Sequence, residues 1–350
     1  MLIIDAHLDL SWNAIQGNRD LLDSTYTIRA RERKQNTVAL PEMRKGRIAL
    51  SVATLFGRCT GQVTSHADYG STTQAYGVTQ GQLAYYRALE QEGHVRIITD
   101  RSSLDSHWAA WEAWEANEDG DPPPLGFVIS MEGVDSIFDA SHLEAWYQDG
   151  LRLLGLTHYG PGRYAGGTGV EDGLTDLAPP LLKEMERLGI LLDLTHCSDR
   201  AFWESLDHYS GLVLASHNNC RVLVPHQRQF DDDQLRAIIE RDGVIGASFD
   251  CWMLHPGWTV EKPGNRVVSL NTLVDHMDHI CQLAGNARHA AIGSDLDGGF
   301  GGEQSPHDLD TIADEQKFVD LLADRGYSDD NVTAILHGNW LRLLRQAWKK

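Results

Sequence analysis

Three things are scarce in this chain of 350 residues. Cysteine is the first: Cys59, Cys197, Cys220, Cys251 and Cys281 are odd in number, follow no framework spacing and include no CxxC pair. That argues against a disulfide scaffold and a thiolate zinc site, and fits free thiols in a reducing cytoplasm. Basic residues are the second: 30 Lys and Arg stand against 50 Asp and Glu, a net charge of −20. An acidic surface repels phosphate backbones and anionic lipid, so neither nucleic acid nor a membrane is an expected partner. Long apolar runs are the third: none approaches the roughly 20 residues of a membrane span. The start, Met1-Leu2-Ile3-Ile4-Asp5, has no basic leader segment, and the end, Trp348-Lys349-Lys350, has no apolar tail. A secretion signal or lipid anchor is therefore not expected, and a cytoplasmic location is. A nucleotide fingerprint is missing too. Gly160-Pro161-Gly162 and Gly166-Gly167-Thr168-Gly169 do not match GxGxxG, no Walker lysine follows them, and they read as a flexible loop over a site.

What is present is a series of short apolar runs. There are eight: Leu2 to Asp9, Ile48 to Phe56, Leu125 to Glu132, Leu151 to His158, Gly189 to His196, Gly211 to His217, Gly243 to Phe249, and Ala290 to Asp295. Near-continuous apolarity suits strands buried on both faces. Helical patterns lie between them, clearest at Gly70 to Gln91, Leu177 to Leu188, Asp199 to Tyr209, Asp231 to Arg241 and Leu270 to Ala284. Asp199 and Asp231–Asp232 suit helix starts. Strand and helix in alternation mean a parallel sheet with right-handed crossovers. Eight units predict a (β/α)8 TIM-type barrel, a fold that typically takes about 250 residues and tolerates insertions. The tryptophans Trp108, Trp111 and Trp114 recur at helical spacing in an excursion over residues 101–124 and read as packing. Residues 251–269 read as a loop, and Asp308 to Lys350 as two or three helices outside the barrel. No repeat or linker divides the chain, which is read as one domain over residues 1–350.

The polar residues at the run ends carry the chemistry. In His7-Leu8-Asp9 the alternation of a strand points His7 and Asp9 the same way. Later runs end on Glu132, His158, His196, His217 and Asp295. A barrel of this kind places its active site at the C-terminal ends of its strands. Crowding so many polar groups together costs stability unless a metal and hydrogen bonds compensate. The ligand set exceeds what one tetrahedral zinc needs, and two metals bridged by a carboxylate and a hydroxide use it better. This implies hydrolysis of an amide, ester or similar bond.

In this order these segments resemble the membrane (renal) dipeptidase family of binuclear zinc peptidases, within the amidohydrolase-like barrels. The carriers are Asp5-Ala6-His7-Leu8-Asp9, Met131-Glu132-Gly133, Leu156-Thr157-His158, Asp193-Leu194-Thr195-His196, Ser216-His217-Asn218-Asn219-Cys220-Arg221, Gln227-Arg228, Gly293-Ser294-Asp295-Leu296-Asp297-Gly298 and Gly338-Asn339-Trp340-Leu341-Arg342. The resemblance implies two Zn2+: His7 and Asp9 on the first, His196 and His217 on the second, with Glu132 and a hydroxide bridging. It implies that the hydroxide attacks the peptide carbonyl of a dipeptide, including one with a C-terminal D-residue. It further implies that His158 stabilises the oxyanion, Asp295 moves the proton to the leaving amine, and Arg228 holds the substrate's C-terminal carboxylate. A homodimer is a family-level expectation. Arg221 and His226 stand as alternatives to Arg228, and Asp297 as an alternative to Asp295. Asp5 reads as orienting a ligand or capping a loop. The remaining histidines, His66 among them, read as surface or structural. Three segments depart from the family pattern: Tyr159 to Gly167, Val134-Asp135-Ser136, and Phe249-Asp250-Cys251-Trp252. They put the substrate in question more than the chemistry. The competing functions are a related hydrolase of N-acyl amino acids or another small amide, and a barrel without catalysis that serves binding or maturation.

Overall fold

The computed structural model describes residues 1–32, 35–61 and 67–348, so His66 lies outside the described residues. Among the described residues there are nine strands: β1 Ile3–Leu8, β2 Ile48–Phe56, β3 Val95–Ile97, β4 Leu125–Glu132, β5 Leu151–Gly155, β6 Leu191–Asp193, β7 Val213–Leu214, β8 Ile245–Ala247 and β9 Ala290–Ile292. All pairings between them are parallel, and β1-β2-β4-β5-β6-β7 run side by side in that order. An Ala215–Ile245 bridge carries the wall on to β8, which pairs β9. The wall closes where Ser294 N donates to Asp5 Oδ1 (2.8 Å) and Asp295 N to His7 O (3.2 Å). Eight strands thus make a (β/α)8 barrel, and every residue of β1, β2 and β4 is buried, as apolar strands covered on both faces must be. The extra strand, β3, pairs the start of β4. Its apolar run is broken by exposed Arg96, which hides it in the sequence.

The last part of the wall is tight enough to need glycine. A Cβ on Gly293 would lie 1.7 Å from Ser216 O, and one on Gly246 would lie 2.1 Å from the same atom. Helices pack outside. Leu270–Ala284 is helical as the periodicity predicts, and Asp232–Glu240 opens on an Asp231 capping box. The helix at Asp199–His208 is capped by the Ser198 side chain rather than by Asp199. Asp199 is instead paired with Arg221. In the helix Arg101–Asn117, Trp108 and Trp111 are buried and Trp114 packs edge-on against Trp111. The tail does more than cover the outside. Trp340 Nε1 donates to Ile292 O (2.9 Å), and Gln316 Nε2 to Met1 O (2.8 Å) and Gly46 O (2.6 Å). Among the described residues, no helix is long and apolar enough to cross a membrane.

One feature differs from the strand boundaries expected from the sequence. The ladders stop early, and the polar residues follow in the turns. His158, His196, His217 and Asp295 each stand three residues beyond the last residue of β5, β6, β7 and β9. The turns are sharp: His196 and Asp295 have positive φ, 67° and 59°, a conformation that side chains rarely adopt and that marks functional sites.

Candidate metal centre

The barrel's C-terminal end brings His7, Asp9, Glu132, His158, His196, His217 and Asp295 together. Glu132, on the last residue of β4, lies at the centre. Its Oε1 is 3.2 Å from His196 Nε2 and 3.4 Å from His217 Nε2. Its Oε2 is 3.6 Å from His7 Nε2 and 4.0 Å from His158 Nε2. Asp9 Oδ2 and Asp295 Oδ1 approach His7 Nε2 to 3.8 and 4.0 Å. Ligand-type atoms cluster in three groups: His7–Asp9–Glu132, Glu132–His196–His217, and His7–His217–Asp295.

Three hydroxyl contacts orient the rings. Ser216 Oγ meets Nδ1 of His7 (3.2 Å) and of His217 (2.9 Å), and Thr168 Oγ1 meets His196 Nδ1 (3.0 Å). With Nδ1 occupied, each Nε2 turns inward, as metal ligands require. The glycine-rich segment after His158 supplies Thr168, and it is pinned rather than loose. Thr168 N donates to His158 O (2.9 Å) and Gly160 N to Thr168 O (2.8 Å), and a Cβ on Gly167 would lie 1.8 Å from His158 O.

The donor set fits a cation. His7 Nε2, Asp9 Oδ1 and Glu132 Oε1 are buried without a hydrogen-bond partner among the described residues, an expensive state that a metal relieves. His196 Nε2 and His217 Nε2 face each other at 3.1 Å, close enough for one ring nitrogen to donate to the other or for both to turn lone pairs to a shared cation. Burial holds the imidazoles of His158, His196 and His217 well below their ordinary pKa, with the Arg228 charge acting the same way, so all three are neutral. Burial also pulls His7 down, but Glu132 and Asp9 outweigh it and His7 ends well above the usual range. Burial raises Glu132, and it raises Asp295 strongly, helped by Asp9 and Glu132.

Arg228 is 2 % exposed and lies beside this cluster. Its Nη1 donates to Asn218 Oδ1 (2.7 Å) and its Nη2 to His217 O (2.8 Å), while Nε has no partner among the described residues. Of its alternatives, Arg221 is spent on Asp199 and the carbonyls of Gln227 and Gln229. His226 is exposed and accepts from Arg228 N (3.0 Å). Asp297 does not join the centre. Its carboxylate accepts from Thr37 N, Thr37 Oγ1 and Val38 N and pairs with Arg19 (3.4 Å), which fastens two loops together. Asp135 also serves loops, accepting from Cys59 N and Arg163 N. Asp5 orients the first ligand strand, accepting from His7 N and from both Ser294 donors. It is also faced by buried Glu315 of the tail, whose carboxyl is pushed far up by burial and by Asp5 itself.

A parallel barrel whose C-terminal rim gathers buried histidines and carboxylates with their ligand atoms turned toward one another is the framework of a metal-dependent hydrolase. Residues 1–349 match the profile of the membrane dipeptidase family, peptidase family M19, and the chain belongs to that family of metallo-dipeptidases. It is 30% identical over 236 residues to an uncharacterised Klebsiella pneumoniae protein from the pqqA 5′ region, covering 65% of this chain and 83% of that one. It is 30% identical over 228 residues to the dipeptidase aclJ of Aspergillus oryzae, covering 64% of this chain and about half (52%) of the fungal protein. Two solved structures share the fold over 99% of both chains. One is a dipeptidase of family M19 (22% identity, TM-score 0.81), and the other a Rhodobacter sphaeroides metallopeptidase bound to a phosphinate mimic of L-Ala-D-Ala (21%, 0.80).

Proposed function

We propose that this dipeptidase uses two zinc ions, held by His7, Asp9 and Glu132 on one side and by Glu132, His196 and His217 on the other. The observation that carries the reading is the pair of ligand groups sharing Glu132. Bound there, divalent ions supply the Lewis acidity that polarises a carbonyl and lowers the pKa of water. The remaining roles fall to the chain. His158 is neutral and lies at the rim, so its imidazole N–H can donate to the oxygen that becomes negative as the carbonyl is attacked. Asp295 carries no hydrogen bond to its carboxylate among the described residues, and its pKa is raised, so it can take the proton of the attacking water and return it to the leaving amine. Arg228, anchored through His217 O, is positioned to pair with a substrate carboxylate, and a guanidinium does this bidentately. A carboxylate clamp one residue's reach from the hydrolytic centre measures out a dipeptide. Tolerance of a D-residue at its C-terminal end is part of the same reading, supported by the ligand of the Rhodobacter sphaeroides relative.

The test is hydrolysis of a library of L–L and L–D dipeptides and N-acyl amino acids by protein of measured metal content. Dipeptide cleavage that is lost on chelation and restored by zinc, at two zinc per chain, is the expected result. Cleavage confined to N-acyl amino acids would replace the substrate, and full activity at one metal per chain would remove the binuclear assignment.

A further inference from the structure

Five barrel strands obey one rule, and only four of them have been used. His158, His196, His217 and Asp295 each lie three residues past the end of their strand, and Asp250 lies three residues past Ala247, the end of β8. The same register brings it to the same rim. Electrostatics agree with the placement. Asp250 is among the charges that raise Asp295, Arg228 acts on Asp250 in turn, and the Tyr159 phenol feels Arg228, Asp250, Asp295 and Glu132 together. Tyr159 itself packs against the rings of His158 (4.9 Å) and His196 (5.1 Å).

The Asp250 side chain is fixed by neutral donors, and Arg228 acts on its charge without a hydrogen bond to it among the described residues. Its Oδ1 accepts from Gln304 Nε2 (2.8 Å) and Trp252 N (3.3 Å), both neutral donors, and the residue is 6 % exposed. A carboxylate held this way gains most from a cationic partner. Resting on the dipeptidase reading above, we propose that Asp250 makes the site select dipeptides whose C-terminal residue has a cationic side chain. Arg228 takes the α-carboxylate of that residue, and Asp250, within its electrostatic reach, meets the side chain that leaves the same α-carbon. The two charges together read both charges of a C-terminal Lys or Arg.

The test compares kcat/KM of the zinc-loaded enzyme on Ala-Lys, Ala-norleucine and Ala-Glu. Norleucine keeps the length of lysine and lacks its charge. Burial pushes the Asp250 carboxyl up to about 7, so the assay is run at pH 8. The wild type is expected to favour Ala-Lys over Ala-norleucine about tenfold, as a partly desolvated charge pair provides, and to disfavour Ala-Glu. Asp250→Asn keeps an acceptor for Gln304 and should bring the Lys to norleucine ratio near one. A wild-type ratio near one, or a ratio unchanged by Asp250→Asn, would overturn the proposal and leave Asp250 as a counter-charge of Arg228; the wild-type comparison decides this even if the variant fails to fold. Cleavage of none of the dipeptides would overturn the dipeptidase reading and this inference with it.

Discussion

Asp295 and Asp297 stand two residues apart on the turn after β9, both with positive φ, 59° and 63°, and both buried enough to raise their carboxyl pKa. Their surroundings are opposite. Asp297 accepts from two backbone N–H groups and a hydroxyl and pairs with Arg19, so its function is to join the loop after β9 to the loop after β1. The Asp295 carboxylate receives no donor among the described residues and looks at His7 and Glu132. Partners make a buried acid structural, and their absence at a cluster of inward-turned imidazoles makes one available for chemistry. Neither property is visible in Ser294-Asp295-Leu296-Asp297.

Substitutions sharpen this contrast. Asp295→Ala should lower kcat by about a hundredfold to ten-thousandfold, the range of a lost acid–base group, with metal content unchanged. Metal loss on that substitution would instead make Asp295 a ligand, which its grouping with His7 and His217 permits. Arg228→Met should raise KM for dipeptides by about tenfold or more, since it removes a buried charge from its anionic partner, and should spare their C-terminal amides. Equal losses on both substrates would end its role as the carboxylate clamp.

Acidification probes the same cluster through His7. In the metal-free site the neighbouring Glu132 and Asp9 hold a proton on that imidazole well above the usual range. A cation must displace it, so zinc affinity should rise with pH, about tenfold per pH unit for one proton, from the acid side through neutrality. Calorimetric titration across that interval reads the slope, and a flat profile would mean that His7 is not a ligand. Asp297→Ala should change activity per folded molecule least of all, by less than about threefold. Its effect should fall on stability, with a loss of about 3 kcal/mol, because a buried pair is broken and Arg19 keeps only its other partners. Chemical denaturation and a kcat measured on the refolded protein separate the two readouts.

Much of the architecture was legible because burial on both faces writes itself as apolar runs: each of the eight runs contains a barrel strand. Periodicity cannot show where a ladder stops. Run-reading placed His158, His196, His217 and Asp295 on strands, whereas hydrogen bonding ends three residues earlier and leaves them on turns. The same limit left Asp250 without a role of its own: the seventh run was read to Phe249, and Asp250 was named only within the departing segment Phe249-Asp250-Cys251-Trp252. The supporting hydroxyls of Thr168 and Ser216 were not legible either, because a Ser or Thr that holds an imidazole Nδ1 has no spacing of its own. Glu315 lies at the far end of the chain from Asp5, and only the fold brings the two carboxyls into contact.

The most direct test of the account is zinc stoichiometry measured beside dipeptide hydrolysis on the wild type and on Glu132→Gln. Two zinc ions and cleavage are expected for the wild type, and loss of both ions together with activity when the shared carboxylate is replaced. Retention of full zinc content and dipeptide hydrolysis by Glu132→Gln would contradict the account.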